Sequence, residues 1–311
     1  MVDVFATWCG PCQKLDKEVF PTPAVRKEAA GWLAVRVDAE SPQGEEVVKR
    51  YHVVGYPTVL FLDPAGREID RVFGFLEAAD FAQAMADYAE GKNTIAARQA
   101  ELKARPDDLA LRYEVGRRLA IRGEVEQARA LLDAVRAADA DNAKGLASQA
   151  LLTLGKYLYL RGSKDYRAAL ALLQDLVKRY PDSDEAKAAP YPIARAWHGL
   201  GDDAKALASL QALIDAAPGR AGAYNTFAWF CFKEDVDRPR GIAVAQAGLK
   251  ADAKAAGLWD TLAELYFATG RQAEALDAIR KALALEPDDP YYKGQLERFE
   301  KGSTGGPPKT G

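Results

Sequence analysis

Hydrophobic and polar positions follow two different rhythms along this chain, and the change comes near residue 92. Val2–Phe5 is a short β-branched and aromatic run, and residues 11 to about 30 carry apolar positions at helical spacing. A second short apolar run at 33–37 precedes a predicted helix over 44–51. Residues 58–62 and 68–73 read as strands, separated by Asp63-Pro64-Ala65-Gly66, which is turn chemistry with Gly at the closing position. A helix over 78–90, ended by Gly91, closes the region. The order is β-α-β-α-β-β-α. Strands joined through a helical crossover are expected to be parallel, and the 63–66 turn makes the last pair antiparallel. A chain that opens inside a strand is expected to continue upstream, so no address is read from its first residues.

From about Asn93 strand signals vanish, and Ala, Leu, Arg, Glu and Asp dominate between short breaks at Gly and Pro. Gly123, Gly162 and Gly201 are 39 residues apart each time, and Gly270 follows 69 later. Pro181, Pro218 and Pro287 follow such glycines. A fixed spacing in the thirties, with two helices in each unit, is the mark of a helical solenoid. The last unit is the clearest. Trp259, Leu262, Ala263, Tyr266, Gly270, Ala275, Ile279, Ala282 and Pro287 fall at tetratricopeptide spacings. Small Ala263 and Ala275 let paired helices approach, the larger side chains fill the space between them, and Gly270 makes the turn. Earlier units repeat the scheme less well, and the one at Tyr224, Phe227, Ala228 and Cys231 carries a short insertion around 235–240. The expected organisation is an α/β domain over 1–91, a helical linker over 92–105, four to five repeats over 106–300, and a disordered tail over 301–311.

Composition narrows the function classes. At 311 residues the chain is long enough for two units, and 49% apolar with 28% charged residues supports packed cores. The net charge of −3 speaks against a nucleic-acid binder, which shows a basic stripe. No apolar run approaches the roughly 18 residues that a membrane span needs. Three cysteines are too few for a disulfide-stapled framework. Cys231 sits in Phe-Ala-Trp-Phe-Cys-Phe and reads as a buried apolar thiol. His52 and His198 lack the spacing of a metal site, so no metal is expected.

The chemistry concentrates in Trp8-Cys9-Gly10-Pro11-Cys12, directly after a strand and opening a helix. Exposed N–H groups and the helix dipole favour a thiolate there. Cys9, first in the motif and nearer the surface, is expected to attack, and Cys12 to resolve the mixed disulfide. Gly10-Pro11 sets the turn that brings the sulfurs together. The bland alternatives are a structural disulfide or half a zinc site. Together with Gly55-Tyr56-Pro57-Thr58, this stretch resembles the thioredoxin superfamily, and the resemblance covers about the first 90 residues. It implies a minimal four-stranded mixed sheet flanked by helices. It also implies a cis Pro57 facing the cysteines, a Tyr56 backbone that pairs with an extended substrate, and a buried acid, Asp3, that moves a proton during resolution. Trp8 matches the aromatic beside the disulfide. Two departures stand out: the family's leading β-α element is missing, and no lysine lies around 33–35 to pair with the acid. Lys17-Glu18-Val19-Phe20 and Pro23-Ala24-Val25 look most like bacterial extracytoplasmic reductant domains, which favours an extracytoplasmic location.

The expected function is a protein thiol–disulfide oxidoreductase, in the reducing direction by its Cys-Gly-Pro-Cys motif, whose repeats bind a protein partner. Its only redox group is the Cys9–Cys12 pair, with no other cofactor. The expected partners are a disulfide-containing protein, an electron-donor protein, and a peptide or protein in the solenoid groove. Arg117, Arg195 and Asn225 face that groove by repeat register. The competing reading is a scaffold in which the repeats carry the function and the redox fold docks or senses.

Overall fold

The computed structural model describes residues 1–302; from residue 303 on, the tail expected to be disordered lies outside the described residues. Its first part is built from β1 (Val2–Phe5), α1 (Gly10–Lys14), α2 (Pro23–Ala29), β2 (Val35–Asp38), α3 (Pro42–Arg50), β3 (Thr58–Leu62), β4 (Glu68–Phe73) and α4 (Ala78–Ala89). The helical pattern over 11–30 is not one helix. After α1 the turn widens into a π-helical segment, Leu15–Val19, where the Phe20 N–H reaches back to the Leu15 carbonyl at 2.9 Å. Thr22 then turns extended (φ −68°, ψ 146°), as a residue before proline must, and Pro23 opens α2.

The strands form one sheet in the order β2-β1-β3-β4. β1 and β2 are parallel, with Asp3 opposite Arg36, and β4 is antiparallel to β3. The expectation of parallel strands across each helical crossover fails for β3, which runs antiparallel to β1 with Thr58 opposite Val4 and Leu60 opposite Val2. The reason lies in the route. α3 and the loop 51–57 return the chain to the end of β1 at which it left, so β3 starts beside the cysteine motif rather than at the far edge. Gly44 makes the route possible. A Cβ there would lie 1.8 Å from the Asp38 carbonyl oxygen, so only glycine lets α3 sit so close to the end of β2.

Period-two alternation divides the sheet into two buried faces. Val59, Phe61 and Val72 point to the face covered by Leu15, Val19, Val25, Phe81, Met85 and Tyr88. Val4 and Leu60 point to the opposite face, which Val47, Val48 and Tyr51 cover.

The rest of the described chain is helical: α5 (Ile95–Ala104), α6 (Leu109–Ala120), α7 (Val125–Ala138), α8 (Leu146–Leu152) running into a π-helical segment Thr153–Ser163, and α9 (Tyr166–Arg179). These helices and the sheet belong to one compact unit, Met1–Lys187. The second unit, from Ala188 on, follows the short α10 (Asp184–Ala188) at the division. It holds α11 (Pro190–Gly199), α12 (Asp203–Ala216), α13 (Ala221–Lys233), α14 (Arg238–Ala251), α15 (Ala256–Ala268), α16 (Gln272–Leu285) and α17 (Pro290–Glu300). Its core runs from Ala194 to Phe299, with Trp197, Tyr224, Trp229, Trp259 and Tyr266 packed against it.

Gly123, Gly201 and Gly270 make the turns between paired helices, each in the left-handed region (φ +79°, +80° and +77°) that glycine enters without strain. Gly162 does not belong to that series. The π-helical segment carries the helix past it, and Lys164 (φ 57°) takes the turn two residues before α9, the offset at which the three glycines precede α7, α12 and α16. The insertion after Cys231 is a loop between α13 and α14 with Asp235 and Asp237 in the left-handed region.

Candidate redox site

β1 delivers the chain into the motif. Cys9 caps α1: its Sγ accepts the Cys12 N–H at 3.2 Å, and Pro11, which has no N–H to satisfy, fills the first turn. Cys9 and Cys12 are joined as a disulfide. The expectation that Cys9 lies nearer the surface is not met: Cys9 is 4% exposed and Cys12 3%. Both pack with Ala6 against Phe5, Trp8 and Tyr56, while Gly10 and Pro11 stay exposed. Accessibility therefore does not distinguish the two sulfurs, whereas position does. The Cys9 sulfur is the one that holds the cap.

The antiparallel entry of β3 brings the second motif to the same place. The Tyr56–Pro57 peptide is cis. The Tyr56 ring meets the Trp8 ring edge-on at 6.2 Å, and the Trp8 Nε1–H donates to Glu40 at 2.8 Å. Burial, reinforced by the Glu40 and Asp38 carboxylates, pushes the Tyr56 hydroxyl up to about 12, so it stays a neutral phenol. The Thr58 hydroxyl donates to the Gly55 carbonyl at 2.7 Å and holds the loop before the proline.

Asp3 lies within β1, 4% exposed. Its Oδ2 accepts Arg36 Nε at 3.0 Å, and its Oδ1 is buried with no hydrogen-bond partner. Burial outweighs the Arg36 charge and raises the carboxyl to about 6, with Asp16 adding to the rise. Arg36 also reaches Asp16 at 3.0 Å and lies over the Phe5 ring at 4.2 Å. The cation missing at 33–35 is therefore supplied by Arg36. The signal that finds it is register: in a parallel β1–β2 pair, the residue opposite Asp3 is Arg36.

Sequence reasoning also missed how the helices brace the domain. Asp70, fully buried on β4, accepts the N–H groups of Arg71 (2.6 Å) and Ile95 (2.5 Å) and pairs with Arg118 (3.3 Å) and Arg122. Arg71 in turn donates to the Ile121 carbonyl at 3.1 Å and the Tyr51 carbonyl at 2.7 Å. Arg118 stands in the last turn of α6 and Arg122 in the turn that follows it, four residues apart, and that spacing is the only cue the sequence holds.

The three groove candidates fall in both units. Arg117 is half-buried on α6 in the first unit. In the second unit, Arg195 is engaged with Glu234 at 2.9 Å, and Asn225 keeps a buried Oδ1 without a hydrogen-bond partner. His198 pairs with Asp203 at 2.7 Å. Among the described residues, no three His, Cys, Asp or Glu side chains converge as a metal site would require, and no helix is long and apolar enough to cross a membrane.

Comparison with known proteins finds two kinds of family in the chain. Residues 1–89 match the family model of a thioredoxin-like domain, and residues 149–183 and 256–296 match tetratricopeptide repeats. The chain thus carries a thioredoxin-like domain fused to tetratricopeptide repeats. The first domain is similar to part of the thiol:disulfide interchange protein DsbD of Actinobacillus pleuropneumoniae, 40% identical over 85 residues, 26% of this chain and 15% of that protein. The Yersinia pestis DsbD is 37% identical over 87 residues, 27% of this chain and again 15% of its own length. The chain therefore spans about 15% of the curated relatives it matches. A solved tetratricopeptide protein of Thermus thermophilus aligns at 25% identity over 50% of this chain and 82% of its own, with a TM-score of 0.37.

Proposed function

We propose that the protein is a thiol–disulfide oxidoreductase that reduces disulfides in other proteins. The observation that carries this reading is the Cys9 sulfur at the cap of α1, accepting the Cys12 N–H, with the Tyr56–Pro57 loop in the same cluster. A sulfur so placed is stabilised as a thiolate once the disulfide is opened. In the reduced protein, the Cys9 thiolate attacks one sulfur of a substrate disulfide. A Cys9–substrate bond forms, the substrate S–S bond breaks, and one substrate thiolate leaves. Asp3 takes the proton from the Cys12 thiol. The Cys12 thiolate then attacks the Cys9 sulfur, which releases the second substrate thiolate and forms the Cys9–Cys12 disulfide. Two electrons have passed to the substrate, and a dithiol-class donor returns them to the protein. The raised Asp3 carboxyl suits the step: ionised at neutral pH, it is a far better proton acceptor than a carboxylate of ordinary pKa.

The helical repeats are read as the partner-holding part, and a tethered partner reacts at a raised effective concentration. The Lys17–Phe20 and Pro23–Val25 stretches, which resemble extracytoplasmic reductant domains, support extracytoplasmic work. The deciding experiment is the reduction of a disulfide-bonded protein by wild type, Cys9→Ser and Cys12→Ser. Wild type turns over, Cys9→Ser does not, and Cys12→Ser accumulates a mixed disulfide through Cys9. Wild-type turnover no faster than free thiol would sink the reading.

A further inference from the structure

The loop to which the thioredoxin resemblance gives substrate pairing is held from behind by the helical segment after α8. Arg161 stands in the π-helical segment Thr153–Ser163, in the same compact unit as the thioredoxin-like domain. Its Nη1 donates to the Val54 carbonyl at 3.2 Å, three residues before Pro57. Gly55 leaves room for the guanidinium and for nothing else. A Cβ on residue 55 would come within 2.6 Å of Arg161 Nη1 and 3.2 Å of the Phe73 ring. Phe73, the last residue of β4, meets Tyr157 of the same π-helical segment edge-on at 5.3 Å, and the Arg161 guanidinium lies 5.8 Å from that ring. The Arg161 charge is also felt at Tyr56, where it opposes the Glu40 and Asp38 carboxylates. π-helical segments are rare and tend to mark functional places, and this one directs Arg161 at a loop more than 100 residues earlier and Tyr157 at Phe73 beside that loop.

We infer that Arg161 is a positioning residue for protein substrates: it fixes the backbone of loop 54–57 in the conformation that receives an extended segment beside Cys9. The inference rests on the proposed reductase activity and adds a division of labour to it. An extended protein segment pairs along the loop and feels its position. A small aromatic disulfide reaches the sulfur without lying on the loop. Selectivity for protein disulfides is then built by the π-helical segment Thr153–Ser163 together with the thioredoxin-like domain.

The test compares full-length wild type, Arg161→Ala and Arg161→Lys on a disulfide-bonded protein and on a small aromatic disulfide. A charge-assisted hydrogen bond lost at the loop corresponds to about a tenfold change. The ratio of protein to small-disulfide turnover therefore falls about tenfold in Arg161→Ala, through KM for the protein substrate rather than kcat. Arg161→Lys, which keeps a donor for the Val54 carbonyl, recovers part of it. Equal losses on both substrates, or an unchanged ratio, overturn the inference while leaving the reductase reading intact. If wild type reduces neither disulfide, the reductase reading fails and takes the inference with it.

Discussion

Replacing Asp3 with asparagine should make the oxidised protein more stable and a worse reductase, two effects of opposite sign from one atom change. The carboxyl rises from 3.8 to about 6 chiefly because burial penalises its charge more than Arg36 repays. Its side chain is only 6% exposed, so solvent screens little of that penalty. Carrying the group across that interval corresponds to about 3 kcal/mol at pH well above 6. The sign follows from proton uptake. Between 3.8 and about 6 the folded state binds the proton and the unfolded state does not. The contribution is thus fully present below 3.8 and is lost as pH rises through about 6. Wild type should therefore lose up to about 3 kcal/mol relative to Asp3→Asn between pH 4 and 8, with the curves meeting at the acid end. Urea unfolding of the oxidised full chain at several pH values measures this. Hydrogen exchange of the β1 and β3 amides separates the thioredoxin-like domain from the second unit. On the catalytic side, loss of the proton acceptor should slow turnover of a protein disulfide by about 100-fold and remove the rate's acid limb near pH 6. Stability curves that run parallel for wild type and Asp3→Asn from pH 4 to 8 would refute the argument from burial.

Two further outcomes follow from other buried groups. Asp70→Ala removes the acceptor shared by Arg71, Ile95, Arg118 and Arg122, so two backbone N–H groups lose an acceptor and two largely buried guanidinium groups each lose one of two carboxylates, keeping Glu114 and Glu68. The expected cost is about 3–5 kcal/mol, read as lost hydrogen-exchange protection in α5 and α6, and unchanged protection there would contradict it. Cys231 is fully buried, and burial, with Asp237 adding, pushes its thiol up to about 12. In the reduced protein an aromatic disulfide reagent should consume two thiols under native conditions, as Cys12 displaces the reagent from Cys9 and closes the Cys9–Cys12 disulfide, and the third thiol only after denaturation; rapid loss of all three would show the second unit's core to be open.

The elements of the thioredoxin-like domain were legible because each has a local cause: β-branched runs, the 63–66 turn, Pro11 in a first turn, and Gly91 at a helix end. The helical repeats were legible for a similar reason, since Gly123, Gly201 and Gly270 occupy left-handed turns that glycine accepts most readily. The π-helical segments were not. A widened turn comes from how a helix packs, so the break after Lys14 and the shift of a repeat turn from Gly162 to Lys164 have no local signature. The direction of β3 was likewise decided by the path of α3 over Gly44. For the site, the residue types at 9, 12, 56 and 57 were enough to name the chemistry, because a dithiol turn and an X-Pro loop are short-range features. What burial and pairing add is long-range: the depth of Cys9, the Arg36 cation opposite Asp3, and the Arg161 contact to the Val54 carbonyl. Sequence alone determined which groups stand in the dithiol turn and the X-Pro loop. Their ionisation, exposure and support were decided by tertiary structure, because each depends on side chains far along the chain that only the folded state brings within a few ångströms.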